Sequence, residues 1–373
     1  MTSVLNSRPA ALSAPGRLRR VLVVSGSVGA GHDGAAKELT ERLRAAGVAV
    51  DVRDYLDAVP VWMKRLLRDG YTGTVGYVPA AFELFFKLLE HRGVAWRITS
   101  ALVSLGERNL QTWVNARPYD AVVSTYPLAS QCLGDLRERG LCDAPVLTYL
   151  TDPAAHVSWL HRSVDQHLTV TQDTAEQGMR DYGVPMVAAG PLVPARFSRR
   201  APAAEVGRLR RELDIPADAR IALLVAGSLG LGDLVPTVED VVAGGLVPVV
   251  LCGRSERLRA RVAAVPGAVA LGWRSDVHLL TWMADVLIHN AGGLSFTEAM
   301  VSGLPAITYR PIPGHGRANA AVLDAAGLAP WARSREELWA AMDRQLQAGR
   351  RSPRLGDPTD HILALLAPAA VAA

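Results

Sequence analysis

The stretch RVLVVSGSVGAGHDGAA, Arg20–Ala36, runs four apolar residues, Val21–Val24, into a turn with glycines at 26, 29, 31 and 34. RVLVVSG reads as a β-strand and Asp33–Ala46 as an amphipathic helix, the opening unit of a parallel α/β sheet. Glycines let the backbone turn tightly and let a ligand come close to it. The helix that follows offers unpaired N–H groups and a partial positive charge. Together they suit a phosphate or an activated sugar. The spacing departs from the two common nucleotide motifs. A P-loop needs GxxxxGK[ST], and no Lys follows here. A dinucleotide fingerprint needs GxGxxG, which GSVGAGH does not supply. Asp51 and Asp54 do stand where the acid of that fingerprint would, so a dehydrogenase is the weaker alternative. His32 stands at the mouth of the helix, where the dipole lowers an imidazole pKa and keeps the ring neutral. A neutral His in a cleft can take a proton from a hydroxyl; the other reading is a His that only caps the helix.

The β-α rhythm continues in VAVDVRD, YDAVVSTYP, PVLTYLTD, QHLTV and PMVAAG. It breaks at GPLVPARFSRRAPAA, Gly190–Ala204, a Pro/Ala/Arg stretch without period that reads as a linker. It restarts in RIALLVAGSLG, LVPVVLCG, AVALGW, ADVLIHNAGG and PAITYRP. The pattern gives a tail over 1–19, a Rossmann-like domain over 20–190 and a linker over 191–204. A second Rossmann-like domain follows over 205–355, then a C-terminal helix over 356–373 packed on one domain. Ligands of doubly wound sheets sit beyond the carboxyl ends of the strands, so two such ends facing each other make a central cleft.

A chain of 373 residues exceeds what one core usually serves. With 49% hydrophobic and 20% charged residues it is an ordinary globular composition. Forty basic against 36 acidic residues leave +4. That suits an anionic ligand or membrane surface and is too small to argue for nucleic acid. No apolar run approaches the ~20 residues of a membrane span, and the basic first twenty residues lack the apolar core of a signal peptide. Three scattered cysteines, Cys132, Cys142 and Cys252, point to a reducing compartment and the cytoplasm. Tyr55–Ile98 does not fit the rhythm. Its aromatics and leucines are mixed with Lys64, Arg65, Arg68, Lys87, Arg92 and Arg97. It reads either as packed helices with long basic edges or as an amphipathic element leaning on an anionic membrane.

A second candidate site is HNAGGLSFTEAMVSGLPAITYRPIPGHGRANA, His289–Ala320. A strand ends in Gly292-Gly293, and a helix from about Ser295 carries Glu298 in its first turn. The glycines and helix start can hold a diphosphate, and a carboxylate can accept both ribose hydroxyls. The other reading of Glu298 is an acid that complements the dipole. The turn with His315, Arg317 and Asn319 faces the sugar or phosphate end.

GSVGAGH, LTDPAAHVSWLHRSVDQHLTV, VAGSLG, LCGRSERLRARV and the block from Leu271 to Ala320 follow in order. Together they resemble the monogalactosyldiacylglycerol synthase and processive diacylglycerol glycosyltransferase family, inverting GT-B enzymes related to the peptidoglycan N-acetylglucosaminyltransferase. The resemblance runs from about residue 20 to 330. It implies His32 as general base on the acceptor hydroxyl. Gly227, Ser228 and Gly230 would approach the donor diphosphate, and Gly292, Gly293 and Glu298 would form the nucleotide site, with Arg254, His315 and Asn319 also on the donor. Gly31, Asp152, His156, Trp159 and His161 would lie on the acceptor side. It places Tyr55–Ile98 in the family's membrane-facing region. It implies a UDP-sugar donor, a lipid or small-molecule hydroxyl acceptor, no cofactor, no metal, and a peripheral place on the inner face of the cell membrane.

The family carries Gln then Glu after PG, where this chain has His315 and Gly316. Gly offers no side chain, so hexose recognition must differ. Three alternatives stand beside the lipid glycosyltransferase: transfer to a specialised metabolite, a UDP-sugar 2-epimerase, and a non-catalytic sugar-nucleotide-binding module. His156 and His161, with His167 beyond, lack a third ligand at metal spacing in the sequence.

Overall fold

The computed structural model describes residues 18–70, 88, 94–227, 234–351 and 354–367. Two six-stranded sheets, every pairing parallel, carry the chain. The first contains β1 (Arg20–Ser25), β2 (Ala49–Asp54), β3 (Ala121–Ser124), β4 (Val146–Tyr149), β5 (Gln166–Thr169) and β6 (Met186–Ala188), ordered β2-β1-β3-β4-β5-β6. The second contains β7 (Ile221–Val225), β8 (Val247–Leu251), β9 (Val269–Leu271), β10 (Val286–His289), β11 (Ala306–Tyr309) and β12 (Trp331–Ala332), ordered β12-β11-β10-β7-β8-β9. Val21–Val24 are fully buried, as a strand covered by helices on both faces requires. The short β12 is the one strand that the sequence pattern does not announce.

Strand order reverses beside β1 in the first sheet and beside β7 in the second. Crossovers on either side of a reversal leave for opposite faces, which opens a crevice at the carboxyl ends of β1 and β3, and of β7 and β10. His32 follows β1 and Thr125 follows β3. Gly227 follows β7 and Gly292 follows β10. Both candidate sites therefore sit at switch points.

The first helix spans Ala30–Ala45, three residues earlier than its sequence reading. Ala35, Ala36, Leu39 and Leu43 form its buried stripe. A Cβ on Gly31 or Gly34 would meet only Leu294 of the second domain, at 3.8 and 3.5 Å. Small residues here let the helix Gly293–Val301 pack on the first helix. One buried apolar cluster consequently runs from β1 through this contact to Phe296, Met300 and Leu304.

The chain then returns. The helix Pro358–Leu366 buries Ile362 and Leu366 in the cluster shared with the first helix. Arg42 anchors its start, pairing with Asp357 at 3.0 Å. Gly190 holds φ 101°, and a Cβ there would strike the Gly356 carbonyl, so only glycine fits. The last helix thus belongs to the first domain in space. Residues 1–17 of the anticipated tail, and half of the unfitting segment (71–87 and 89–93), lie outside the described residues.

Ile362 is fully buried. Ile362→Ala should cost about 2–5 kcal/mol in denaturant unfolding, the usual cost of a cavity that cannot collapse. A loss below 0.5 kcal/mol would mean that the terminal helix is not docked in solution.

Candidate active site

His32 is the third residue of its helix, in the first turn. Its Nδ1 lies 2.9 Å from the Thr125 carbonyl oxygen and 3.1 Å from Thr151 Oγ1. A carbonyl only accepts, so Nδ1 carries the proton, and the lone pair of the neutral ring is on Nε2. Nε2 makes no hydrogen bond among the described residues. Burial lowers the His32 pKa below 6.5, with Asp152 and the Thr125 carbonyl pulling the other way, and His315 adds to the lowering. The ring is held edge-on by Tyr126 at 5.2 Å and tilted against Trp159 at 5.7 Å. Tyr126 reaches it because Gly26 has no Cβ to block the ring. Of the glycines at 26, 29 and 31, Gly29 alone opens on unfilled space, so the turn serves tertiary approach more than a ligand.

The acceptor-side motif separates into different tasks. Asp152 Oδ2 accepts from Trp159 Nε1 at 2.9 Å, which fixes the indole behind His32. His156 is buried and its Nδ1 accepts from Ser158 N–H, capping the single turn Val157–Trp159. Both support Trp159. His161 turns away from His32 and lies on the helix Pro127–Glu138, where Gly134 leaves room for the imidazole. There Asp135, Glu138 and His161 bring their ligand atoms within 4.8 Å of one another, the third group that sequence spacing lacked. The Ser163 N–H donates to His161 Nδ1 at 3.1 Å, so the neutral ring carries its proton on Nε2 and donates it to Asp135 at 3.2 Å. Arg162 pairs with Glu138. The protonated Nε2 and this ion pair leave the trio satisfied by its own hydrogen bonds.

On the opposite wall, β10 ends in a strained turn. Ala291 holds φ 68°, unusual for a residue with a Cβ. Its N–H is held by His289 Nδ1 at 3.2 Å and its carbonyl by Asn319 Nδ2 at 3.0 Å. Backbone strain fixed from both sides is a mark of a functional turn. Gly293 opens the helix, and a Cβ there would strike the Thr151 carbonyl of the first domain. Glu298 sits in the second turn of this helix, not the first, because the helix begins at Gly293 instead of near Ser295. There it is too far along to complement the dipole. It makes no hydrogen bond or ion pair among the described residues; burial pushes its pKa up to about 8, which Arg196 partly offsets.

Asn319 is buried and fully engaged. Its Oδ1 accepts from Ala154 N–H at 3.0 Å, and Nδ2 donates to Ala291 O and, at 3.4 Å, to Asp152 Oδ1. It bridges the domains, whereas the sequence reading put it on the donor. His315 begins the helix His315–Ala325 half-buried, its pKa lowered by burial and raised by nearby Asp152. A Cβ on Gly316 would collide with Ile312, so that position stays bare. Arg254 lies 4.9 Å over the Trp273 ring, and this Trp, 56% exposed after β9, is a flat aromatic surface that motif reading missed. Gly227 holds φ 69° after β7. Ser228 and Gly230 lie outside the described residues.

Residues 32–188 match the family model described as monogalactosyldiacylglycerol (MGDG) synthase. A processive diacylglycerol beta-glucosyltransferase of Bacillus cereus (strain G9842) is 25% identical over 364 residues, covering 92% of each chain. The chain is a glycosyltransferase related to this family. Its fold is GT-B. The crystal structure of Acinetobacter baumannii MurG matches with a TM-score of 0.54 at 17% identity, over 94% of this chain and 99% of that one. The glycotransferase of kitacinnamycin matches at 0.57 and 16% identity over 94% of each.

Glu298 binds a proton in the folded state up to about pH 8, but only to about 4.5 when unfolded. Stability should therefore fall as pH rises between those values. Glu298→Gln should flatten this slope in denaturant titrations at pH 5, 7 and 9. A variant as pH-sensitive as the parent would place the effect elsewhere.

Proposed function

We propose that this glycosyltransferase moves a hexose from a UDP-sugar to a hydroxyl of a lipid acceptor of the diacylglycerol type, with inversion. The observation that carries the reading is His32. It is a neutral imidazole whose Nδ1 is tied to the Thr125 carbonyl, leaving Nε2 basic beside the turns of the second domain. The acceptor O–H gives its proton to Nε2 while the oxygen attacks the anomeric carbon. The bond from that carbon to the diphosphate oxygen breaks, and the electron pair leaves with the diphosphate. The N–H groups opening the helix Gly293–Val301 and the Gly227 turn meet that charge. Glu298, with nothing to bind among the described residues, takes the ribose hydroxyls. Trp273 with Arg254 takes the nucleobase face. The donor arrives already activated, so the scheme needs no resident cofactor.

The lipid acceptor is supported by the relatives' names and by the surface at Val61–Gly70. Val61, Trp62 and Leu66 are 65%, 54% and 52% exposed beside Arg65 and Arg68. An exposed apolar cluster with basic neighbours suits peripheral contact with an anionic bilayer. No described helix is long and apolar enough to cross a membrane.

His32→Ala should lower transfer by about 10²–10⁴-fold, the range of general-base catalysis, with UDP affinity unchanged. Glu298→Ala should weaken UDP binding in calorimetry while His32 still titrates. The acid limb of kcat/KM should fall below pH 6.5, because burial lowers the His32 pKa. Full turnover in His32→Ala would end the assignment. Flotation with anionic vesicles reads the acceptor side: an unbound Trp62→Ala variant fits the lipid reading, and binding equal to the parent opposes it.

A further inference from the structure

His289 ends β10 and is buried. Both of its ring nitrogens are engaged. Nδ1 accepts from the Ala291 N–H at 3.2 Å. The proton of the neutral ring is therefore on Nε2, which donates to Thr308 Oγ1 at 3.2 Å. Burial keeps the ring neutral by lowering its pKa to about 3. Thr308 stands opposite His289 in the parallel register of β10 and β11. Phe296, on the helix Gly293–Val301, stacks on the imidazole with centroids 5.7 Å apart and planes at 24°. One side chain thus ties together a strand end, the neighbouring strand, the turn and the helix after it.

Packing alone does not call for this residue. Burying two polar nitrogens is unfavourable unless each has a partner, and an apolar side chain would fill the space without that demand. The partner at Nδ1 is the N–H of the residue two positions on, the contact that Asn and Asp make in Asx-turns. It bends the chain straight after the strand. Ala291 there holds φ 68°. A glycine would enter that conformation freely and leave it as freely. An alanine stays in it only while its surroundings hold it. His289 holds the Ala291 N–H, and Asn319 holds the Ala291 carbonyl. Gly292 and Gly293 come next in the chain and open the helix. A Cβ on Gly292 would meet only Asn290 Oδ1, at 3.9 Å, so the turn is open to close approach on that side.

We infer that His289 is a positioning residue for the donor: it holds the Ala291 turn in the one conformation that turns the N–H groups opening the next helix towards a diphosphate. The inference rests on the donor site proposed above and gives His289 a task within it, exerted through Ala291. Affinities of the full chain for UDP and for uridine test it, because only UDP carries the diphosphate. The parent should bind UDP the tighter. His289→Leu should weaken UDP about tenfold, the upper worth of one hydrogen bond, and leave uridine within about twofold. His289→Asn, whose Oδ1 can accept the same Ala291 N–H, should restore most of the UDP affinity although it packs the core less well than Leu. A merely structural His289 gives the opposite order, with UDP affinity following the thermal stability of the two variants. Thr308→Val keeps the ring and removes the acceptor of Nε2–H, which frees the proton to move to Nδ1, and UDP should weaken in the same direction. This variant decides the matter if His289→Leu does not fold. A parent that binds UDP no tighter than uridine overturns the donor site and the inference with it. A UDP preference that the parent shows and His289→Leu keeps, or Thr308→Val keeps where Leu does not fold, overturns the inference alone. So does an Asn variant as weak as the Leu one.

Discussion

The amide of Asn319 is spent on both domains at once. Its oxygen holds the Ala154 N–H of the first, and its nitrogen holds the Ala291 carbonyl of the second. Asn319 is buried, so each bond lost would leave a buried polar group unpaired at about 1–3 kcal/mol. Around this bridge the two switch points close on each other. Thr151 passes against the bare Cα of Gly293, and the same Thr151 hydroxyl reaches His32 Nδ1. The loop after β4 thereby holds His32 and contacts the helix Gly293–Val301. A shift of the domains would disturb both, so the proposed base and the proposed donor wall are positioned by a single constraint.

Burial gives the cleft its charge states. His32 and His315 are held neutral, and the Glu298 carboxyl is pushed towards its protonated form. On the reading proposed above, the donor diphosphate enters beside two neutral imidazoles and a carboxyl pushed towards its protonated form. In such surroundings the aligned N–H groups of a helix start count for more than they do in water. A neutral His32 with its proton fixed on Nδ1 needs no prior deprotonation to act. Its tautomer depends on a backbone carbonyl, Thr125 O, which titration cannot remove.

Much of this was legible in the sequence because parallel strands buried on both faces are continuous apolar runs, as Val21–Val24 shows. The glycine turn and the Gly292-Gly293 pair were legible as strand-to-helix turns because their signals are local. What stayed hidden is tertiary. The first helix starts at Ala30 because Gly31 and Gly34 pack on Leu294, overriding their low propensity. Asn319 looks like a ligand contact until Ala154, 165 residues away, arrives at its oxygen. His161 shares a motif with His156 and Trp159, yet a glycine on another helix draws it to Asp135. Trp273 belongs to no short motif; only its exposure beside Arg254 marks it.

Two crossings join the domains, and they touch. The outward crossing leaves β6 through Gly190, and the return reaches Gly356 before the helix Pro358–Leu366 docks beside Arg42. Arg42 also donates to the Pro191 and Val193 carbonyls, at 3.4 and 2.7 Å, so one guanidinium gathers both crossings. A single tether would let the second sheet rotate freely about the first. Two tethers pinned at one point remove most of those rotations. The two closely packed glycines, 190 and 356, stand where these crossings meet, the bare Cα of each allowing the other's backbone to pass.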